Sequence, residues 1–291
     1  MTNTLVLSGK DVSEAVYKNL EVRISSLQTK NVTPGLAVIL VGEDPASQVY
    51  VRSKTKTFNR LLLYTKTFRL SSDISGKELL KHINKLNSDN NFHGILVQLP
   101  LPNHIDTQQI IQAIDPKKDV DGFHPENAGL LSIGKPRFIP CTPKGIMRIL
   151  RHYEINLYQK HIVVIGRSNI VGRPISILTS IKEAGANGTT TICHSGTPNI
   201  KQFTLTADIV IVALGVPNFL SSSMLKNDSI VIDVGINRVD ADNDKGYKLV
   251  GDADWLDISA KASAATPVPG GVGPMTIAML VENTIEAAEN R

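Results

Sequence analysis

Short, unbroken apolar runs alternate along this chain with longer stretches in which apolar residues recur every three or four positions. The runs are 36–42 (LAVILVG), 64–70 (YTKTFRL), 94–100 (GILVQLP), 161–166 (HIVVIG), 189–195 (TTTICHS), 208–215 (DIVIVALG) and 229–235 (SIVIDVG). Several consist of Val, Ile and Leu without polar alternation, the pattern of strands covered on both faces. Strand–helix–strand order throughout predicts an α/β architecture built on parallel sheets. Three prolines and two glycines interrupt residues 132–145 (SIGKPRFIPCTPKG). They mark the end of a first domain, 1–145, and a helix from about Pro143 to Tyr153 leads into a second, 146–273. A further break, 266–274 (TPVPGGVGP), precedes an apolar helix with Pro274 near its first turn. The second domain is a complete doubly wound unit without that helix. Residues 274–291 are therefore expected to return to the first domain, giving two crossovers and a cleft between the lobes.

Composition narrows the function classes. The 291 residues are 42% hydrophobic and 20% charged, enough for a sizeable core. Lys plus Arg is 31 against 27 Asp plus Glu, and these charges are scattered rather than gathered into a patch or arm, which argues against nucleic-acid binding. Two cysteines, Cys141 and Cys193, exclude a disulfide scaffold and a Cys-rich zinc site. The triplet Leu5–Leu7 is too short for a signal-peptide core, Asp11 and Glu14 argue against a transit peptide, and no apolar run is long enough to span a membrane. A cytoplasmic protein is expected.

The stretch HIVVIGRSNIVGRP (161–174) reads as strand, tight turn and helix, with Gly166 closing the strand and Gly172 opening the helix. Ser168 stands where a G-x-G-x-x-G fingerprint has its middle glycine, so the strict pattern is not met. The turn still aims backbone N–H groups at an anion, as in a Rossmann-like dinucleotide-binding lobe. In NAD binders a carboxylate about 20 residues further on holds the ribose 2′-OH. Here the second strand ends in His194-Ser195. Ser195 can donate to a 2′-phosphate and Arg167 can clamp its charge, which favours NADP. An ordinary βα turn with a solvated arginine is the alternative.

In the first domain, Asp44 reads as an N-cap and Pro45 as the first residue of a helix on which Tyr50 and Lys54 share one face. Such a pair can stack a flat ring and handle a proton, or the lysine stem can simply cover the tyrosine on an exposed face. Arg52 and Lys56 share another, more solvated face. Gln98 is the lone polar residue at the carboxyl end of a buried strand stopped by Pro100 and Pro102. It sits where open α/β sheets bind ligands, or it caps neighbouring backbone. Asp119, Asp121, His124 and Glu126 lie in a polar, turn-rich loop, 116–131, and a metal site is not expected from them.

Seven ordered motifs, YVRSK (50–54), ILVQLPLP (95–102), PKKDVDGFHPENAGLL (116–131), PCTPKGI (140–146), VVIGRSNIVGRP (163–174), DVGIN (233–237) and TPVPGGVGPMT (266–276), span nearly the whole chain. Together they resemble the bifunctional methylenetetrahydrofolate dehydrogenase/cyclohydrolases. The resemblance implies NADP-linked oxidation of 5,10-methylenetetrahydrofolate, hydrolysis of the methenyl product to 10-formyltetrahydrofolate, and a homodimer. By resemblance Lys54 is the catalytic lysine, Gln98 tunes it and Asp121 grips the pterin. Tyr50 stacks on the folate, and Gly270 and Gly271 line the same cleft. Gly166, Arg167 and Ser168 form the dinucleotide turn, Ser195 contacts the 2′-phosphate, and Ile236 offers backbone to the nicotinamide end. Whether Lys54 acts as a base or as a protonated orienter of water stays open.

Two departures accompany the resemblance. Residues 57–66 (TFNRLLLYTK) lack the glycine usual before the second strand, and 183–188 (EAGANG) is longer than usual near the 2′-phosphate pocket. His124 and Cys141 are expected to serve a turn and loop packing, and Cys193 to pack in the core. Other readings are a dehydrogenase without the hydrolytic step, against which Lys54 argues, and a non-catalytic NADP-binding protein.

Overall fold

The computed structural model describes residues 4–243 and 246–291; residues 1–3 of the expected first domain and 244–245 of the second lie outside that description. The chain forms β1 (Leu5–Val6), α1 (Gly9–Thr29), β2 (Gly35–Val41), α2 (Pro45–Arg60), β3 (Tyr64–Leu70), α3 (Gly76–Ser88), β4 (Gly94–Val97), α4 (Thr107–Ala113), α5 (Pro125–Ser132) and α6 (Cys141–His152). It continues through β5 (His161–Ile165), α7 (Gly172–Ser180), β6 (Thr189–Cys193), α8 (Ile200–Thr204), β7 (Ile209–Val212), β8 (Ile230–Asp233), β9 (Asn237–Asp240), β10 (Tyr247–Val250), α9 (Trp255–Ile258), β11 (Ala264–Ala265) and α10 (Val272–Glu289).

Two compact units result. One holds Val16–Cys141 and Ile277–Arg291; the other holds Thr142–Thr276 and the described residues up to Ala15. In the first, β3-β2-β4 form a parallel sheet. β2 and β4 are buried along their whole length, as their unbroken apolar runs require. Ile39, Ile95 and Val97 from that sheet pack against Leu79, Ile83 and Leu86 of α3. That helix starts on a capping box, Ser75 with Glu78. The returning end of α10 belongs to this unit as expected. Its Asn283 is fully buried, and Nδ2 donates to Val120 O at 2.7 Å and Ile139 O at 3.0 Å.

The second unit is a six-stranded sheet in the order β1-β11-β8-β7-β5-β6, every pairing parallel. Its core gathers Val163, Ile165, Val210, Val212 and Val231, with Cys193 packed among them. The chain start, expected in the first domain, is an edge strand here: Leu5 N donates to Ser263 O and Leu7 N to Ala265 O. Two residues of pairing carry no detectable periodicity, so this assignment depends on tertiary contact. The β9–β10 antiparallel pair was likewise not marked by an apolar run, because none of its residues is buried.

Further boundaries differ from expectation: the 208–215 run is a strand only over Ile209–Val212, and the helix expected from Pro143 to Tyr153 runs Cys141–His152. The 94–100 run is a strand only to Val97. The 189–195 run stops at Cys193, where His194 N turns to Thr197 Oγ1. Residues 125–132, read as polar loop, form α5: Pro125 occupies its first turn and His124 Nδ1 accepts from Glu126 N at 3.0 Å. Among the described residues, no helix is long and apolar enough to cross a membrane.

Candidate functional site

In the three-stranded unit the site begins on α2. Asp44 Oδ2 accepts from Ser47 N at 2.7 Å, and Pro45 stands in the first turn. Ser47, Val51, Lys54 and Phe58 then form the buried stripe of the helix. Lys54 is therefore on the inner face and only 7% exposed, not on the solvated face where a stem would merely cover Tyr50. Arg52 and Lys56 face solvent. The Lys54 Nζ lies 6.0 Å from the Tyr50 ring centroid and donates to Gln98 Oε1 at 3.0 Å.

Gln98 follows the end of β4, and its main-chain N donates to Ile39 O of β2. The side chain caps backbone as well as meeting the lysine, since Nε2 donates to Leu99 O at 2.9 Å. Asp121 arrives by register. Ile95 N donates to Lys118 O, and Ile95 pairs in parallel with Asp119. Two residues on, Asp121 is carried to the same end of β4 as Val97 and Gln98. Asp119 holds this loop, its Oδ2 accepting from His124 N and Asn127 Nδ2, each at 2.8 Å.

Electrostatics couple these groups. Burial lowers the Lys54 ammonium below its ordinary value, while the negative charge of Asp121 pulls the other way. Burial raises the Asp121 carboxyl, and the Lys54 charge opposes that rise. Burial also raises Tyr50. Sequence reasoning left two neighbours out. Cys141, expected to pack a loop, has its Sγ 3.5 Å from both Asp121 Oδ1 and Val120 O. Asn283 anchors the Val120 carbonyl beside them. The PCTP motif pointed to the cysteine; nothing in the periodicity of α10 pointed to the asparagine.

In the six-stranded unit, Ile165 of β5 pairs with Cys193 of β6. Arg167 and Ser195 each stand two residues past that pair, at the carboxyl ends of adjacent parallel strands, and both are exposed. Gly166 has φ +122, and a Cβ there would collide with Ala213 O. Ser168 Oγ accepts from Val171 N and Gly172 N at the start of α7. The amides of Arg167, Ser168, Asn169 and Ile170 have no acceptor among the described residues. A run of free N–H groups in a glycine-closed strand-to-helix turn fits the phosphates of a dinucleotide. Ile236, Gly270 and Gly271 line one cavity of about 150 Å³ together with Leu249, Pro267 and Asp233.

The predicted site residues thus fall into two groups. Tyr50, Lys54, Gln98 and Asp121 meet in the three-stranded unit. Gly166, Arg167, Ser168, Ser195, Ile236, Gly270 and Gly271 all belong to the six-stranded one.

Residues 7–121 match the family model described as tetrahydrofolate dehydrogenase/cyclohydrolase, catalytic domain, and residues 140–291 match its NAD(P)-binding domain. A bifunctional protein FolD of Chlorobium chlorochromatii is 53% identical over 97% of this chain and 97% of its own length. A crystal structure of the bifunctional enzyme FolD from Campylobacter jejuni superposes with a TM-score of 0.93 at 47% identity, covering 99% of both chains. That of the Trypanosoma brucei enzyme, complexed with NADP cofactor and inhibitor, has a TM-score of 0.94 at 35% identity, covering 100% of this chain and 99% of that one.

Proposed function

The chain belongs to the tetrahydrofolate dehydrogenase/cyclohydrolase family, and from that premise we propose how its own residues carry the two activities. The enzyme oxidises 5,10-methylenetetrahydrofolate with NADP+ and hydrolyses the 5,10-methenyl product to 10-formyltetrahydrofolate, in one-carbon metabolism. The observation that carries our reading of the hydrolytic step is the buried Lys54 ammonium held by Gln98 Oε1 at 3.0 Å.

Hydration of a methenyl cation needs a group that takes a proton from water as its oxygen adds to carbon. An exposed lysine stays protonated at neutral pH. Burial moves Lys54 toward the free amine, and an arriving cationic substrate moves it further. Gln98, by accepting one N–H, leaves the amine lone pair directed elsewhere. In our reading water adds to the methenyl carbon as its proton passes to Nζ. The carbon–N5 bond of the adduct then breaks, N5 takes up a proton and the adduct hydroxyl loses one, leaving the formyl group on N10. Asp121, acceptor-only when ionised, would receive the paired N–H donors of the pterin edge, and Tyr50 would stack on its ring.

Gly166, Arg167, Ser168 and Ser195 would hold the dinucleotide, with Ile236 at its nicotinamide end. When bound, that cofactor supplies the hydride acceptor. We assign folate binding to the three-stranded unit and dinucleotide binding to the six-stranded one. We also propose Gly270 and Gly271 as folate contacts, as the family resemblance implies. We further place the enzyme in the cytoplasm as a homodimer that supplies formyl groups for purine synthesis; the family resemblance supports this.

The test is incubation of purified protein with 5,10-methylenetetrahydrofolate and either NADP+ or NAD+, with the folates separated over time. Formation of 10-formyltetrahydrofolate with NADP+ preferred is expected. Methenyltetrahydrofolate that decays only at its uncatalysed rate would leave a dehydrogenase alone, and no oxidation with either cofactor would overturn the reading.

A further inference from the structure

The six-stranded unit contains two adjacent buried carboxylates that the reaction above does not use. Asp252 is fully buried and Asp233 is 4% exposed. Asp252 Oδ2 accepts from Leu214 N at 2.6 Å and Gly215 N at 2.9 Å, just past the carboxyl end of β7. Its Oδ1 accepts from Asn237 Nδ2 at 2.8 Å, at the start of β9. Asp233, the last residue of β8, accepts from Gly235 N and Asp252 N on Oδ1 and from Ala253 N on Oδ2, each at 2.9 Å. The pair therefore ties the segment after β10 to the loops after β7 and β8.

The arrangement is costly. Burial and the neighbouring Asp252 charge push the Asp233 carboxyl up to about 6, although three backbone N–H groups oppose that shift. It is also closely fitted: a Cβ on Gly251 would strike the Asp233 carboxylate, and one on Gly235 would strike Asp252. The surface that these ties hold is apolar and uncovered. Val216, Ile236 and Leu249 are 47%, 43% and 38% exposed, and Ile236 and Leu249 line the 150 Å³ cavity with Asp233. Open α/β sheets bind their ligands outside the carboxyl ends of the strands, where this surface lies.

We propose that Asp252, with Asp233 beneath it, is a positioning residue that fixes the cavity wall receiving the nicotinamide end of the dinucleotide. This rests on the dinucleotide reading given above. Asp252 acts through the amides of Leu214 and Gly215 and through Asn237. Its loss loosens the wall and weakens cofactor binding while leaving Tyr50, Lys54, Gln98 and Asp121, all in the other unit, untouched.

Asp252→Ser removes both acceptor oxygens. Amide hydrogen exchange on the cofactor-free protein is expected to quicken at least tenfold at Leu214 and Gly215. NADP+ titrated by quenching of Trp255 fluorescence or by calorimetry should show a Kd raised about tenfold, and KM for NADP+ should rise more than KM for the folate. Circular dichroism reports whether the variant folds. If it does not, Asn237→Ala breaks only the Oδ1 tie and should raise the NADP+ Kd by two- to fivefold. Wild-type protein that binds no dinucleotide would overturn both this inference and the functional reading. Wild-type binding, with exchange and Kd unaltered in the folded variant, would overturn this inference alone.

Discussion

Lys54 Nζ on α2 and Gln98 Oε1 beyond β4 are joined at 3.0 Å, although 44 residues separate them in the chain. The bond makes two separate roles, a buried ammonium and a polar residue at a strand end, into one device. It predicts distinct outcomes for its two ends. Lys54→Met removes the proton acceptor, so hydrolysis of methenyltetrahydrofolate should fall about 10²-fold or more while some hydride transfer persists. Gln98→Leu keeps the amine but loses the group that orients it, so the hydrolytic step should fall less. Parallel assays of the two steps check this; unchanged hydrolysis in Lys54→Met would remove Lys54 from the mechanism.

Cofactor choice is predicted from the strand ends. Ser195→Asp places a carboxylate where a 2′-phosphate is expected. The KM for NADP+ should rise at least tenfold, about 1.4 kcal/mol, with much less change for NAD+. Steady-state kinetics with both dinucleotides decide it, and equal effects on the two would detach Ser195 from the 2′-phosphate.

Asn283 predicts a stability effect. Its Nδ2 satisfies the Val120 and Ile139 carbonyls from a fully buried position. Asn283→Leu removes the amide donor from both carbonyls, leaving Val120 O only the weak Cys141 thiol at 3.5 Å, and should cost about 1–3 kcal/mol in urea unfolding. It should also displace Asp121 and raise the folate KM. A variant as stable as wild type would show that water replaces the amide.

The missing glycine before β3 has a visible consequence. Leu62 adopts φ +56 and is 76% exposed. It ends α2 in a Schellman-like turn, with Leu63 N donating to Phe58 O and Leu62 N to Asn59 O. Leu62→Gly relieves a left-handed side chain and loses little packing, so it should stabilise the protein by about 1 kcal/mol. Thermal or urea unfolding measures it, and a destabilised variant would mean that chain entropy outweighs the strain.

His93 predicts part of the acid limb of stability. Burial, with help from Arg291 and Lys118, lowers its imidazole from 6.5 to about 4. The folded state therefore binds this proton less readily than the unfolded chain. The stabilisation is complete above pH 6.5 and is lost as pH falls through 4, with a span of roughly 3 kcal/mol. His93→Gln should flatten urea-derived stability between those values; an unchanged slope would assign the acid limb to the carboxylates.

How much of this was legible follows from how local each signal is. α2 was readable because its Asp44 cap, Pro45 and the four-residue spacing of Tyr50 and Lys54 are local, whereas the buried stripe of Ser47, Val51, Lys54 and Phe58 was not read. The central parallel strands β2, β4, β5, β7 and β8 were readable because burial on both faces demands unbroken apolar runs. α5 was missed because its apolar residues are few and its start depends on a His124 side-chain cap. Cys141 and Asn283 were not recognised as neighbours of Asp121 because their contacts join segments far apart in the chain.

By itself, the sequence determined the two-part α/β plan, the returning α10 and the residue types that carry the chemistry. These follow from hydrophobic period, proline and glycine breaks, and motifs that are contiguous. Only the tertiary structure decided that Lys54 faces inward, that the Ile95–Asp119 register carries Asp121 to the end of β4, that β1 joins the six-stranded sheet, and that Asp252 ties the loops after β7 and β8. Each is a pairing across long sequence separation. Burial and hydrogen-bond geometry select such pairings only once the sheets have formed, and no local window contains both partners.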